Sequence, residues 1–228
     1  MSAAPKLKTW TTSQKEEDAM FEGHIQLWRC MVDNIQEKNL QAKTVLDFGC
    51  NQGGFLRMLY NLNPFKKALG VDIAAASAAK ADALNPGLPI TYGTPDLLDG
   101  LEGLFDVAFS HEVIYLIQDL DAHAKLMKRV LKDTGVYYAA TGCHTENPLW
   151  PKWHKYISEY SNIPVPNYSL NDYAKAFQDN GFSVEAKSFR YDGFIRFTED
   201  DKGYYANIMD KLNYYNQDKI LFRFTKLA

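Results

Sequence analysis

The sequence predicts an α/β fold, with a mostly parallel sheet covered by helices on both faces. Three observations lead there. Short β-rich runs alternate with helical patterns up to Thr141, the first run ends in a glycine-rich turn, and two more strand patterns close the chain. Strands separated by helices of this length form βαβ units, whose right-handed crossovers make neighbouring strands parallel and bury both faces of the sheet.

Each element has its own signal. Residues 14–36 are an amphipathic helix, with Met20, Leu27, Trp28, Met31 and Ile35 on its apolar side. Residues 44–48 (TVLDF) are a buried-strand pattern, and residues 53–60 then place Phe55, Leu56 and Leu59 at helical spacing. The strand ALGVDI (68–73) precedes an alanine-rich helix over 74–83. Short strands follow at 89–92 and 105–110, a helix at 119–132 with Leu120, Ala124, Met127 and Val130 on one face, and a fifth strand at 136–141. Residues 143–168 carry four prolines and two tryptophans and read as an inserted loop with one short helix. Ser169 with Asp172 forms a capping box for a helix that stops at Gly181. Strands at 182–189 and 219–224 enclose a polar, tyrosine-rich insertion, 190–218, helical around 204–215.

The 228 residues are 46% hydrophobic and 23% charged, with 14 Gly and 9 Pro, which suits one globular domain spanning 1–228 and excludes disordered and collagen-like chains. A net charge of −3 supplies no broad cationic surface, so nucleic acid is not an expected partner. The longest apolar runs, such as 74–79, are far shorter than a membrane span, and residues 1–8 lack a signal-peptide core. Cys30, Cys50 and Cys143 form neither a disulfide framework nor a C-x-x-C site. A soluble, cytoplasmic protein is the expectation.

In an open α/β sheet the ligand lies beyond the carboxyl ends of the strands, where a glycine turn and a helix N-terminus offer free N–H groups. VLDFGCNQGGF (45–55) is such a turn, but the dinucleotide pattern G-x-G-x-x-G would need glycine at 51, which is Asn, and Asp47 ends the strand. A carboxylate there repels a pyrophosphate and suits a cation, such as the ammonium and sulfonium of S-adenosylmethionine.

This turn resembles motif I of the class I S-adenosylmethionine-dependent methyltransferases, D/E-x-G-x-G-x-G. Asp47, Gly49 and Gly53 match, and Asn51 stands where the middle glycine would be, being a residue that enters left-handed geometry more readily than most. Asp72 follows Asp47 by 25 residues, at the end of GVDI, where the family binds the ribose hydroxyls. FDVAFSHEVIYLI and LMKRVLKDTGVYY are similar to the family's fourth-strand motif and the helix and strand after it. The resemblance covers about 44–138 in order and implies a Rossmann-like, seven-stranded sheet with its last strand antiparallel. It also implies S-adenosylmethionine as cofactor, S-adenosylhomocysteine as product, and an N-terminal helical cap at 10–40 with Trp10 and Phe21 closing the cofactor side. It assigns Asp47, Gly49, Cys50, Asn51 and Gly53 to the methionine and ribose, Asp72 and Ile73 to the ribose side, Asp96 and Leu97 to adenine, and Ser110 to the cofactor edge of the fourth strand.

The acceptor side is read from residue types. His111, after the fourth strand, is a candidate base or a cofactor contact; His144, after the fifth, is a further candidate base, and His24 a lesser one. H-E at 111–112 suggests a zinc helix, but position 115 is Tyr, so no metal is expected. Glu112 suits a cationic acceptor or a helix start. Twenty of the 31 aromatic residues lie from Tyr137 onward, so Tyr115, Trp150, Trp153 and Tyr156 are candidates to line an acceptor pocket or to pack the insertions, 143–168 and 190–218, over it. The function expected is methyl transfer to a small molecule. The alternatives are an RNA or protein methyltransferase, an NAD(P)-dependent oxidoreductase, and a non-catalytic S-adenosylmethionine-binding protein.

Overall fold

The structure is a computed structural model that describes residues 14–160 and 163–228, so Trp10 lies outside the described residues. Helix α1 (Gln14–Asn34) precedes the alternation β1 (Thr44–Phe48), α2 (Gly54–Leu62), β2 (Lys67–Val71), α3 (Ala75–Ala83), β3 (Ile90–Gly93), β4 (Phe105–His111), α4 (Leu120–Val130) and β5 (Leu131–Thr141). Then come α5 (Trp150–Tyr160), α6 (Leu170–Asp179), β6 (Phe182–Ser188), α7 (Ile208–Asn213) and β7 (Ile220–Lys226). One sheet holds seven strands in the order β3-β2-β1-β4-β5-β7-β6. Strands β1 to β5 pair in parallel, and β7 enters antiparallel between β5 and β6.

Alternate residues of the central strands supply two cores. Val45, Val107 and Phe109 pack under α1 and α2 with Leu27, Met31, Phe55 and Leu59. Leu46, Ala108 and Tyr137 pack on the other face with Met127, Tyr173, Phe177 and Phe224. Strands buried on both sides must be apolar throughout, which is why TVLDF reads as a continuous run. At α6 the capping box forms as expected: Asp172 N donates to Ser169 Oγ at 3.1 Å, and Ser169 N to Asp172 Oδ2 at 2.7 Å.

Two boundaries differ from the sequence reading. Helix α4 ends at Val130, and β5 begins at once with Leu131 opposite Phe105 before a register shift brings Val136 opposite Val107. Residues 132–135 bulge out of the ladder, with Thr134 at φ 61°. The one short helix expected in 143–168 is α5, and Pro151 falls in its first turn, where a proline costs no hydrogen bond. No helix among the described residues is long and apolar enough to cross a membrane.

Candidate active site

The carboxyl ends of β1, β2 and β4 meet at the turn after β1. Gly49, Asn51 and Gly53 take φ 84°, 44° and 74°, so the Asn accepts the left-handed geometry its neighbours have by virtue of being glycine. The turn is tied to β2 by Gly49 N and Cys50 N, which both donate to Val71 O (2.7 and 3.0 Å). A Cβ on Gly49 would stand 2.3 Å from Val113 Cγ2. Gly49→Ala is expected to lose roughly 2–5 kcal/mol from the backbone geometry and the overlap together. Urea unfolding checks this, and adding Val113→Ala should recover the overlap part alone; a full-stability Gly49→Ala protein contradicts the turn.

Asp47 is 3% exposed and its Oδ2 has no hydrogen-bond partner. Burial, and then the charge of Asp72, push its carboxyl up to about 8. Asp72, half-buried, accepts from Asn51 N at Oδ2 and Ala74 N at Oδ1, both at 2.8 Å. Burial raises its pKa, against the pull of those two amides. A carboxylate offers about four lone-pair sites, so these two bonds orient Asp72 and leave capacity for two hydroxyls. Along the same edge Ile73 is 65% and Leu97 42% exposed, two apolar side chains flanking the ends of β2 and β3. Asp96 is exposed beside them and accepts from Thr94 Oγ1. Cys50 is buried, and burial, then Asp47 and Asp72, push its thiol up, which suits a turn filler rather than a nucleophile.

The side chain of Ser110 does not join this group. Its Oγ lies 2.6 Å from Tyr137 Oη, which lies 3.2 Å from His123 Nε2, on the α4 side of the sheet. Alternation along β4 sends Ser110 one way and His111 the other.

His111 stands at the end of β4, and its Nε2 is buried without a hydrogen-bond partner. Its ring meets His24 of α1 edge to face at 5.3 Å and Phe189 at 6.5 Å. Burial, then Lys219 and His24, hold its pKa well below the ordinary value, so it is a neutral imidazole at pH 7. His24 stacks on Trp28 at 5.9 Å, and Trp28 and Phe21 abut Gly54 at the start of α2.

Glu112, at φ 54°, is held by the protein itself. It forms an ion pair with Lys219, which is 0% exposed, and accepts from Tyr214 Oη (2.9 Å), Thr141 Oγ1 (3.1 Å) and Gly142 N (3.2 Å). Burial alone would raise its pKa; Lys219, with hydrogen bonds from Lys219, Tyr214 and Thr141, outweighs that and lowers it. His144 is likewise engaged, between Glu146 Oε2 (3.2 Å) and Asp218 O (2.6 Å). Tyr115 and Trp150 are 5% and 1% exposed and pack on each other in the core. Trp153 donates from Nε1 to Tyr204 O (3.0 Å) and meets Tyr214 at 4.9 Å, while Tyr156 is exposed. Lys219 and Tyr214, the partners of Glu112, carried no signal of their own: a lysine opening an apolar strand reads as an edge residue, and 107 positions separate it from Glu112.

The sequence model of a family described as "Methyltransferase domain" matches residues 21–187. The chain belongs to this methyltransferase domain family. Among curated relatives, the malonyl-[acyl-carrier protein] O-methyltransferase of Legionella pneumophila is 23% identical over 170 residues, 71% of this chain and 60% of that protein. The phosphoethanolamine N-methyltransferase 1 of Triticum aestivum is 26% identical over 191 residues, 79% of this chain and 36% of that protein. The chain thus spans under two thirds of the length of either. Among solved structures, a chain of the Haloferax volcanii complex containing the Trm112 methyltransferase activator matches with a TM-score of 0.81 at 19% identity, covering 94% of this chain and 95% of that one. The geranyl diphosphate C-methyltransferase of Streptomyces coelicolor, with S-adenosylhomocysteine bound, matches at 0.68 and 19%, covering 99% and 90%. The fold is that of the class I S-adenosylmethionine-dependent methyltransferases, and the antiparallel β7 expected from the resemblance is present.

Proposed function

We propose that the protein transfers a methyl group from S-adenosylmethionine to a small-molecule acceptor at the ends of β1 and β4. One observation carries this reading. Asp47 Oδ2 and His111 Nε2, on adjacent strands, are the two side-chain polar atoms among the described residues that are buried with no hydrogen-bond partner. Unpaired buried polar atoms cost free energy in a folded protein, and a ligand that completes both of these atoms is the reading this proposal adopts.

The residues present fit the cofactor, which supplies an electrophilic methyl group on a sulfonium centre. Asp47 opposes its positive charge, and Asp72, aimed by two backbone amides, receives the ribose hydroxyls. Backbone at Gly49, Cys50, Asn51 and Gly53 makes close approach possible, Ile73 and Leu97 flank the adenine, and Asp96 accepts from its amino group. Neutral His111 takes the acceptor's proton as the new bond forms. Positioning can contribute roughly 7–11 kcal/mol to such a displacement without a covalent intermediate. The described parts of the insertions 143–168 and 190–218 would cover the acceptor, with Trp153 and Tyr156 on the covering side, while the described part of the N-terminal cap, with Phe21, would close the cofactor side. A cytoplasmic setting is supported by three cysteines that are all buried and unpaired.

Thermal melting with S-adenosylmethionine, S-adenosylhomocysteine, NAD and NADP tests the reading. At 100 times the dissociation constant a ligand stabilises by about 2.7 kcal/mol, a rise of roughly 5–11 °C for a chain of this size. The two adenosyl compounds should give it and the nicotinamides should not. A response to NAD alone identifies an oxidoreductase. With labelled methyl donor, label arriving on RNA or protein instead of small molecules replaces the acceptor class.

A further inference from the structure

Strand β6 ends the sheet and pairs on one side, with β7, in an unbroken register from Phe182 opposite Lys226 to Ser188 opposite Ile220. Phe189 N donates to Lys219 O (2.8 Å) and Leu227 N to Gly181 O (3.0 Å), so the odd-numbered residues along β6 turn their backbone groups to β7. In an antiparallel ladder the residues between them face the other way. Val184, Ala186 and Ser188 therefore present N–H and C=O groups outward, and among the described residues no hydrogen bond from outside the ladder reaches these groups. Folded proteins blunt such an edge with proline, a bulge or a covering element. Strand β6 has no proline and no register break, and its two charges, Glu185 and Lys187, are opposite in sign and share one face. On its other face lies an open groove of about 390 Å³, with Ala174 and Gln178 of α6 above it and Val184 and Ala186 below.

We propose that β6 is a dimer interface, at which two copies of this chain pair their β6 strands antiparallel about a two-fold axis at Ala186 and join their sheets into one. The charges select this register. An axis at Glu185 sets glutamate against glutamate, and one at Lys187 sets lysine against lysine. An axis at Val184 leaves both charges facing uncharged residues, and one at Ser188 runs into Arg190, whose φ of 50° leaves the extended region. With the axis at Ala186, Glu185 stands opposite Lys187 of the second copy in both directions. Val184, Ala186 and Ser188 then exchange backbone hydrogen bonds with Ser188, Ala186 and Val184 across the axis. The two charge pairs fall at the positions between those bonds, where facing side chains approach most closely. Both groups have capacity for the pairing. The Glu185 side chain is 56% exposed and accepts from Arg223 at Oε2 (2.6 Å), while Lys187 is exposed and donates to Asn34 Oδ1 (2.5 Å). A carboxylate has about four acceptor sites and an ammonium three donors, so each keeps room for the other. The proposal does not depend on the methyl-transfer reading.

Sedimentation equilibrium of the full chain at micromolar concentrations tests it. The wild type should show a species of twice the 26.0 kDa chain mass. Glu185→Lys sets lysine against lysine and Lys187→Glu sets glutamate against glutamate, so each variant alone should raise the dissociation constant roughly tenfold or more. Mixed in equal amounts, the two variants should associate with each other, because every facing pair is then opposite in sign. The double variant Glu185→Lys/Lys187→Glu should return to within about threefold of the wild-type constant. Ala186→Pro removes the central outward N–H at a position where an edge strand tolerates proline, and should give a folded monomer. A monomeric wild type overturns the proposal. So does a dimer that the single charge reversals and Ala186→Pro all leave intact, since its contact lies elsewhere, and so do two single variants that fail to associate when mixed.

Discussion

Lys219→Met is expected to lower stability by about 3–5 kcal/mol, because it strands the Glu112 carboxylate without its counter-charge. For a chain of this size that is a fall in melting temperature of roughly 6–20 °C. Lys219 is fully buried and the Glu112 side chain only 19% exposed, so solvent screens the pair little. Glu112→Gln should cost a similar amount by leaving the ammonium unmatched. The double variant Lys219→Met/Glu112→Gln should regain most of the loss, since a buried pair replaced as a pair is close to neutral. Melting curves of the three proteins decide it, and two single variants that each lose under about 1 kcal/mol would mean that water reaches the pair. The pH dependence has a definite sign. The folded pKa of Glu112 is depressed, so its contribution is present at neutral pH and is lost as pH falls through the carboxylate range.

Affinity for S-adenosylmethionine is expected to climb about tenfold per pH unit between pH 6 and 8 and then level off. The cause is Asp47, whose carboxyl burial pushes up to about 8 in the free protein. A cationic ligand binds the ionised form, so below pH 8 binding must first remove a proton. Asp47→Asn should flatten the slope and weaken binding at pH 8.5 by roughly 10–100-fold, as lost charge-assisted contacts of about 1.5–3 kcal/mol imply. Stability of the free protein moves the opposite way. With the folded pKa above the ordinary 3.8, the contribution of Asp47 is greatest below that value and declines as pH rises toward 8. The melting shift given by the cofactor should therefore be larger at pH 8.5 than at pH 6. Titration calorimetry across this range measures the slope, and a pH-independent affinity for the wild type would show that Asp47 is already ionised.

What the sequence discloses here is local, and what it hides is long-range. The turn from Asp47 to Gly53 is legible because backbone geometry narrows the residue choice, and Asn51 at φ 44° obeys the same constraint as its glycine neighbours. Asp72 is legible because a strand end and a turn fix its place. The Ser169 cap announces itself through one four-residue pattern. By contrast, the engagement of Glu112 depends on Lys219 and Tyr214, more than a hundred positions away, and no periodicity links them. Ser110 and His111 look alike in sequence as strand-end polar residues. A pleat separates them, sending one hydroxyl to Tyr137 and one imidazole toward α1. Trp150 and Tyr115 are shared between pocket and core readings because aromatic residues serve both, and only packing decides for the core.

The place of β7 bears on how the molecule is made. Strand β6 is synthesised first yet touches the sheet only through β7, which separates it from β5. While the ribosome is still extending the chain past residue 188, the five parallel strands can associate, but the far edge of β5 stays open and Glu112 has no cation. Insertion of β7 then closes that edge and delivers Lys219 in the same event. An exposed strand edge invites pairing with other chains. The interval before β7 emerges is thus when the nascent protein is most exposed to aggregation, and ionic matching beside His111 coincides with the end of it.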